Sequence, residues 1–451
     1  MNPYIRIILF LLIISQTLSA QQEQTLNFAT DLWQSNLTNP ALLPSGKKIH
    51  ISLPSLYFNA NSPLSIRDLI VKKSNGSRAI APFYGQWLDK LQENNYYNGD
   101  VQMLTAAVSF PITDNLQVSG HHLISSSQNF MVPRDAASLL IRGNGQFVGT
   151  AAEFGTRIGA DLRSEFGLAL TYHDELFSLG ARIKSQNGIA GIFSRGNKLR
   201  LVTDTSFYEL RLTTDYDLMV FGFDNNNPIM GTLLNNGGVS ADFGARINLG
   251  KLKLSASVLD AAGSIHWRKR GKTYSTSGDV EFRGFNSLDP ENTSYQRLKD
   301  TIRFALNIKE QESARFVSDL PLRAYIGANY EVTENFRLGG LFYSESLNGE
   351  TKYGAMANVT INYLKWLRVG ATLGLRNEDK ANLGIHAGLT LYNTAQLYFV
   401  TDNILVYGTP FSTQKFNGRI GCNLLLGKNP EEKLTKKIKS NKMTKRYGTM
   451  W

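Results

Sequence analysis

Cysteine, charge and long apolar runs are all scarce in this chain of 451 residues. The single cysteine, Cys422, excludes an intramolecular disulfide framework and a cysteine-based zinc site. Charged residues make up 19% of the chain, below the roughly 25% of soluble domains, whereas aromatic residues reach 11%. Aromatic side chains in such number need a place to be buried, and the composition therefore excludes a largely disordered protein.

The apolar run near the start is too short to cross a membrane as a helix. Residues 7–14 are apolar, Arg6 precedes them, and a short stretch ending in small residues follows up to Ala20. This pattern is typical of a secretory signal peptide, so we predict that residues 1–20 are removed by cleavage before Gln21. A short membrane anchor is the alternative. No later window contains 18 consecutive apolar residues, so helical membrane spans are not expected.

Motifs of enzymes and cofactor sites are also missing. The chain has neither G-x-S-x-G nor H-E-x-x-H, and its glycines at 143, 145 and 149 do not fit a dinucleotide-binding loop. Among six histidines, His121 and His122 would point to opposite faces of a strand, and His386 would face the inside of a barrel. We therefore predict no catalytic residues, no cofactor site and no metal site. A catalytic site assembled from separate strands stays open.

Period-two alternation of apolar and polar residues recurs over most of the remaining chain. One face is apolar and the other is polar and rich in glycine, as in Leu383, Ile385 and Ala387 against Gly384 and His386. These segments run for about 10 to 13 residues, which matches the tilted strands that cross a membrane and exceeds the usual strand of a β-sandwich. The pattern predicts an all-β protein, a transmembrane antiparallel β-barrel with a polar, glycine-rich lumen.

Turn lengths favour the same fold. Tight turns alternate with long polar connections, which lie at residues 61–100, 127–162, 224–236 and 270–319. Short periplasmic turns opposite long outer loops are the layout of an outer-membrane barrel. We predict a barrel over residues 48–427 with about 14–16 strands. Sixteen segments can be placed, and those at 198–210 and 212–223 are the weakest.

A short helix followed by Asn39, Pro40 and Ala41 precedes the first long strand. Its place just ahead of the barrel resembles the N-terminal plug of FadL-type outer-membrane transporters. It is also similar to the start of the Bacteroidetes proteins PorV, PorP and SprF. The whole chain resembles a related Bacteroidetes outer-membrane barrel family of unknown function.

The resemblance to FadL-type transporters implies that residues 21–47 sit inside the barrel as a plug. Asn39, Pro40 and Ala41 would then hold the plug in place rather than touch a substrate. Hydrophobic substrates of such transporters cross through a strand kink or an opening in the wall. Plain turn chemistry is the alternative, because proline disfavours helix at the preceding residue. No acyl-chain pocket motif is present, so a fatty-acid substrate is not supported.

Two other segments are predicted to fill or cover the lumen. Residues 134–157 read as a short helix followed by a glycine turn. Residues 292–316, in the longest outer loop, read as a helix with Leu298, Ile302 and Leu306 on one stripe. The second helix would be a lid or a docking element for a partner. A solvated loop is the alternative.

Positive charge is concentrated after the last strand. Residues 428–451 carry +6 of the formal net charge of +11. We expect this basic periplasmic tail to be either a disordered, solubilising segment or a contact for anionic lipid or an acidic periplasmic partner. Its lysines are not interleaved with stacking aromatic residues, so nucleic acid is not an expected partner.

Together these features predict a porin-like, non-enzymatic protein of the Gram-negative outer membrane. The first hypothesis is a FadL-like transporter or channel for small or hydrophobic molecules. The alternative is a non-transporting scaffold or surface-anchoring partner of a secretion or gliding machinery. Its partners would be outer-membrane lipid and a periplasmic or surface protein. A barrel hydrolase is a third reading and would require His, Ser and acidic side chains to converge at the outer rim.

Overall fold

The computed structural model describes residues 23–44, 49–72, 76, 78–80, 87–205, 209–222, 236–283, 307–312, 314–347, 350–364, 366–376 and 379–427. The predicted signal peptide and tail lie outside these residues, as do both ends of the predicted plug and most of the predicted lid helix.

Within the described residues, fourteen antiparallel strands form one closed barrel, which confirms the predicted fold class. The last strand pairs with the first, with Leu426 opposite Ile49. The strands are β1 (Ile49–Ser52 and Ser55–Asn61), β2 (Asn94–Pro111), β3 (Leu116–Pro133), β4 (Arg157–His173), β5 (Phe177–Thr203), β6 (Glu209–Phe221 and Asn236–Leu249), β7 (Leu252–Trp267 and Gly271–Arg283), β8 (Lys309–Glu312, Phe316–Asp319 and Leu322–Thr333), β9 (Phe336–Leu347), β10 (Glu350–Leu364), β11 (Leu367–Arg376), β12 (Asp379–Leu391), β13 (Ala395–Thr401) and β14 (Lys415–Leu426).

The count of fourteen rather than sixteen follows from the length of β5. The two segments of β6 pair one after the other along β5, opposite residues 191–203 and then 177–188. Residues 198–203 therefore continue β5. Residues 209–221 form the first half of β6, which we call its upper half because it lies farther from the turn at residues 250–251. The prediction of separate membrane-crossing strands at 198–210 and 212–223 was wrong. One long strand, β5, contains two of the predicted alternating segments, and β6 contains the next two.

Apolar side chains cover the outer face of the wall, as the alternation predicts. Leu168, Ile183 and Ile326 are each more than 60% exposed on this face, whereas the inward residues of the same strands are largely buried. Such an apolar band on a closed barrel is what a lipid environment requires.

The tight turns predicted from the sequence all lie at one end of the barrel, which we call the short-turn end. The opposite end, which we call the long-loop end, carries the longer connections together with short ones after β9 and β11. Several of those connections are shorter than predicted, because strands such as β2, β3 and β7 continue beyond the alternating segments. Among the described residues of the predicted lid helix, Lys309–Glu312 form a strand and Phe316 begins another, Phe316–Asp319; both strands pair with β7. That part of the helix prediction was wrong, because pairing with β7 overrides the helical stripe.

The predicted short helix at 134–142 is present at the long-loop end. We call it α1 (Arg134–Arg142), and Gly143 ends it with a φ of 72°. It packs beside an apolar cluster that contains Leu88 and Leu91, so it covers the end of the barrel instead of filling the lumen. Burial raises the pKa of nearby Asp68, but hydrogen bonds from Lys90 and Ser65 outweigh it and the pKa lies below its ordinary value.

Among the described residues, no helix has both the length and the apolar character needed to span a membrane.

Candidate functional site

Residues 23–44 lie inside the barrel, in the half of the lumen nearest the short turns. Two 3-10 helices, Thr25–Phe28 and Trp33–Leu37, are joined by a turn. Pro40 has no amide hydrogen and disfavours helix at the residue before it, so the second helix ends there. Nearly all residues of the segment are buried, and their partners lie on strands around the wall, from β1 to β14. We call residues 23–44 the plug.

Four large apolar side chains anchor the plug to the wall. They form three buried clusters: Trp33 with Leu104, Ala107 and Leu123; Phe28 with Leu259, Tyr325, Leu341 and Tyr343; Leu26 and Leu32 with Tyr398 and Val400. Burying one such side chain stabilises a fold by roughly 1.5–3 kcal/mol. The lumen therefore contains an apolar core, which differs from the polar, glycine-rich lining predicted from the alternation.

The turn at Asn39, Pro40 and Ala41 is fixed by hydrogen bonds to the wall. Asn39 Nδ2 donates to the carbonyl oxygen of Ala256 at 3.1 Å and to that of Ala245 at 3.4 Å. These two residues face each other across β6 and β7. Asn39 Oδ1 accepts a hydrogen bond from the amide of Ala41 at 2.8 Å, which closes the turn.

Glycines on β5 and β6 let the turn approach the wall. A Cβ atom at Gly180 would lie 2.4 Å from the carbonyl carbon of Pro40, and one at Gly244 would lie 2.0 Å from Asn39 Oδ1. Both distances are far below van der Waals contact. The turn therefore requires glycine at both positions.

We expect the double substitution Gly180→Ala and Gly244→Ala to push this turn off the wall. The two hydrogen bonds of Asn39 would be lost, each contributing about 0.5–1.5 kcal/mol. A cysteine placed at the fully buried Ala29, in a Cys422→Ser chain, should then react faster with a maleimide. The matched control is Gly340→Ala, where the nearest atom to the new Cβ lies 3.9 Å away. Equal labelling rates in the parent chain, the double glycine variant and the Gly340→Ala chain would contradict the proposed contact between the turn and these glycines.

The middle of the plug also bonds to charged and amide side chains of the wall. Arg182 Nη2, on β5, donates to the carbonyl oxygen of Asn36 at 2.7 Å. Gln34 Nε2 donates to Asn423 Oδ1 at 2.8 Å, and Asn423 Nδ2 donates back to Gln34 Oε1 at 3.0 Å. The plug is thus held by directed bonds as well as by apolar packing.

Five charged side chains on the inner face of the wall form ion pairs with one another beside the plug. Arg182 Nη1 lies 3.0 Å from Asp242 Oδ2, and Lys184 Nζ lies 2.7 Å from Asp242 Oδ1. Lys184 and Arg323 both pair with Asp260. We call this set, which runs over β5, β6, β7 and β8, the ion-pair ladder. It is largely removed from solvent, so each charge depends on its partners.

The start of the plug bonds to the end of β13 and to β14. Asp402, directly after β13, accepts hydrogen bonds from the amides of Thr25 at 2.8 Å and Gln24 at 3.3 Å. The carboxylate of Glu23 pairs with Arg419, whose side chain is fully buried.

The wall is broken next to that contact, because β13 ends at Thr401 about halfway along its neighbours. Residues 379–384 of β12 pair only with β11, and residues 415–418 of β14 pair only with β1. Residues 402–414 occupy the space between them and include the 3-10 helix Ile404–Gly408. We call residues 402–414 the filler and this place the wall break.

The filler is bonded to β14 chiefly at Asn417. Asn417 Oδ1 accepts hydrogen bonds from the amide of Asp402 and from Thr401 Oγ1, both at 2.9 Å. The hydroxyl of Tyr407 donates to the Asn417 carbonyl oxygen at 2.9 Å. On the outer face, aromatic rings surround this contact: Phe58, Phe399, Tyr407 and Phe416. The segment after β1 also holds the filler, because the amides of Ser62 and Arg67 donate to the carbonyl oxygens of Gln414 and Phe411 at 2.8 and 2.7 Å. The wall break is thus closed by hydrogen bonds to the filler and by an aromatic cover.

A second aromatic group is buried toward the long-loop end. The rings of Phe193 and Phe316 stack with centroids 4.4 Å apart, and Trp267 and Phe221 pack against Phe193. Gly188 and Gly191 make room for Trp267. This cluster fastens the place where β6, β7 and β8 are interrupted.

Among the described residues, no group of three or more His, Cys, Asp and Glu side chains is arranged to hold a metal ion.

A family model matches residues 40–402, which include most of the barrel and the turn after Asn39; its description is a family of unknown function, DUF5723. The chain belongs to the DUF5723 family. No curated protein matches this DUF5723 sequence.

Several solved structures resemble the DUF5723 barrel at low sequence identity. The Pseudomonas putida toluene transporter TodX has a TM-score of 0.43 and 10% identity, over 87% of this chain and 92% of that one. The Ralstonia pickettii toluene transporter TbuX has a TM-score of 0.40 and 7% identity, over 86% and 91%. A Pseudomonas aeruginosa FadL homologue has a TM-score of 0.41 and 10% identity, over 86% and 92%. Such TM-scores are too low to assign a function.

The histidines singled out in the sequence lie apart in the DUF5723 barrel. His121 is buried in the lumen and bonds to Glu165 at 2.9 Å, whereas His122 faces outward and stacks on Phe166. His386 is buried against Gly370. The two adjacent histidines do point to opposite faces, as predicted.

Most of the charged residues that contact the plug or lie beside it were missed by motif reasoning. Arg182, Asp242, Asp260 and Arg419 belong to no motif. A signal was nevertheless present, because each lies on an inward position of an alternating strand or at a bulge in one. Charged residues on the lumen face of a predicted barrel strand are therefore the positions to inspect first.

Proposed function

We propose that this protein is an outer-membrane channel for small hydrophobic molecules, which leave the lumen sideways through the wall break. The observation that carries the proposal is the early end of β13, where the filler replaces the strand that would complete the wall. The filler has no backbone strand pairing with β12, so moving it costs less free energy than moving a paired strand.

The plug supports a sideways route over an axial one. It fills the lumen toward the short-turn end, which in bacterial barrels is the periplasmic end. A water-soluble solute moving straight through would have to displace the plug's apolar anchors and its bonds to the wall. A hydrophobic molecule that reaches the wall break meets aromatic side chains and then lipid.

Hydrophobic molecules can be distinguished from polar ones in reconstituted vesicles. We expect Asn417→Ala to speed the uptake of a hydrophobic fluorescent probe, N-phenylnaphthylamine, because Asn417 Oδ1 no longer accepts from the amide of Asp402 in the filler and from Thr401 at the end of β13. A loss of roughly 1.4 kcal/mol would raise the open population about tenfold. Leakage of a trapped hydrophilic dye should not change.

The matched control is Asn358→Ala, which removes a buried lumen amide on β10 with bonds to Thr372 and Ala371, away from the wall break. Equal probe uptake by wild type, both variants and empty vesicles would refute the channel.

A non-transporting scaffold is the second candidate, and one observation favours it. At about 3.3 Å per residue, β5 is far longer than the roughly 30 Å hydrocarbon layer. Its upper half, with β6 and β7, forms an ordered sheet that projects from the long-loop end. Such a sheet would offer a surface to a partner protein. The uptake experiment separates the two candidates, because a scaffold moves no probe.

A further inference from the structure

Among the described residues, four cationic side chains lie on one side of the lumen mouth at the short-turn end. Arg246, Lys253, Arg337 and Arg368 occupy inward positions near the short-turn ends of β6, β7, β9 and β11. We call these four residues the cationic crescent. Arg246 makes no hydrogen bond or salt bridge with a described residue, and Lys253 pairs with Glu331.

Two residues of the plug already occupy part of the crescent. Arg368 Nη1 lies 3.1 Å from Asp31 Oδ1, and Arg337 Nη1 donates to Thr30 Oγ1 at 2.8 Å. Thr30 and Asp31 are only partly buried, unlike most of the plug, and the side chain of Arg368 stays 29% exposed. An intramolecular carboxylate therefore shows which ligand chemistry these arginines accept, in a place that solvent reaches.

We propose that the cationic crescent is a docking surface for an acidic polypeptide segment. Its carboxylates compete with Asp31 for Arg368 and with Thr30 for Arg337, and they meet Arg246 directly. Binding removes the polar contacts of the plug at its turn and loosens the plug there. The apolar anchors at Phe28 and Trp33 then hold the segment without that support.

The dimensions of the crescent favour a peptide over a small anion or a lipid surface. Five strand spacings separate β6 from β11, which is roughly 24 Å along the wall. An extended chain covers this distance in about seven residues, whereas a single phosphate reaches one arginine pair. The crescent also lies inside the wall, so lipid head groups around the barrel do not face it.

Other charges at this end orient such a segment. Asp114, Asp174 and Glu175 lie in the turns after β2 and β4, on the other side of the mouth. Glu334 and Lys251 lie in turns on the crescent side. On the crescent side, cations outnumber the carboxylates of Asp31, Glu331 and Glu334, whereas the other side is acidic. An acidic chain is therefore attracted to the crescent side.

The docking surface stands without the channel; only the effect of a loosened plug on transport rests on the proposed function. Binding is therefore measured directly, with a fluorescent peptide of ten glutamates and the full chain in zwitterionic detergent at low salt. We expect Arg337→Gln with Arg368→Gln to weaken binding about tenfold, since two charge-assisted contacts are removed. We expect Asp31→Asn to tighten it about threefold or more, because the internal competitor is gone.

The matched control is Arg195→Gln with Lys198→Gln, two cations at the long-loop end of β5, which should bind as wild type does. The tail lysines are unchanged in every variant and add the same background. A cysteine at Ala29 in the Cys422→Ser chain should also be labelled faster when peptide is added, and not in the Arg337→Gln, Arg368→Gln chain.

Three outcomes overturn the proposal. The first is equal affinity in all variants, including Asp31→Asn. The second is complete displacement of the peptide by inorganic phosphate at matched charge, which identifies a small-anion site. The third is binding of anionic vesicles, but not of peptide, that depends on Arg337 and Arg368. Heat-modifiable migration on gels establishes that each variant is folded, and the opposite signs expected for Asp31→Asn and the double variant exclude a general loss of structure.

Discussion

Deletion of residues 23–44 is expected to turn the closed barrel into an ion-conducting pore. The plug fills the lumen toward the short-turn end, and the four apolar anchors and the turn at Asn39 leave with it. The wall does not depend on the plug for its closure, because β14 pairs directly with β1. Single-channel recording in planar bilayers should show resolvable openings for the deleted chain and a closed baseline for the intact one.

A chain lacking residues 428–451 is the control for this deletion. That truncation follows the last strand and should leave the closed baseline unchanged. A deleted chain that folds, by its heat-modifiable migration, but stays non-conducting would show that wall side chains such as Trp267 and Phe193 close the lumen by themselves. The glycine variants at 180 and 244 should give intermediate, flickering openings, since they displace the plug without removing it.

The architecture of the wall was predictable because its physical cause is local. Alternation places Leu168 and Leu170 toward lipid and Ala169 and Thr171 inward, and this needs no knowledge of distant strands. The tight turns at residues 113–114, 173–175 and 393–394 likewise follow from residues next to each other. Within an alternating segment, the strand itself and the face on which each residue lies are therefore predictable from the sequence.

The interruptions of the strands were not predictable in this way. One of the sixteen segments placed on the sequence covers residues 395–406, and this strand prediction is wrong after Thr401, where the chain turns into the filler. Three consecutive apolar residues at 404–406 have no alternation to fix a face, and what holds the filler is Asn417, on another strand. The same limit applies to β5 and β6, whose boundaries depend on which distant residues pair.

The site was predictable only in outline. The resemblance of the segment with Asn39, Pro40 and Ala41 to the plug of FadL-type transporters implied a plug, and the structure brings this turn against Gly180 and Gly244. The ladder partners could not be matched from sequence, because ion pairs between β5, β6, β7 and β8 depend on the register of four strands and on the bulge that holds Asp260. Register is a property of the assembled sheet.

The substitution Asp260→Asn is expected to have the largest effect on stability. Asp260 accepts from Lys184 and Arg323 and sits at a φ of 58°, a conformation that asparagine tolerates as well as aspartate. The change therefore removes a charge while keeping shape and backbone. The ladder would be left with three cations and one carboxylate in place of three and two. Leaving a buried charge without its partner costs about 3–5 kcal/mol.

The matched control is Glu281→Gln, which breaks the pair with Arg211 on the exposed upper part of β6 and β7, where both side chains are at least 60% exposed. Exposed pairs contribute less than about 1 kcal/mol, so this variant should unfold close to wild type. Urea unfolding of the barrel in lipid vesicles, followed by tryptophan fluorescence, measures both. If Asp260→Asn unfolds within about 1 kcal/mol of wild type, as an exposed pair would, then water reaches the ladder and solvates its cations. In that case the ladder is a hydrated part of the lumen rather than a fastening of the wall.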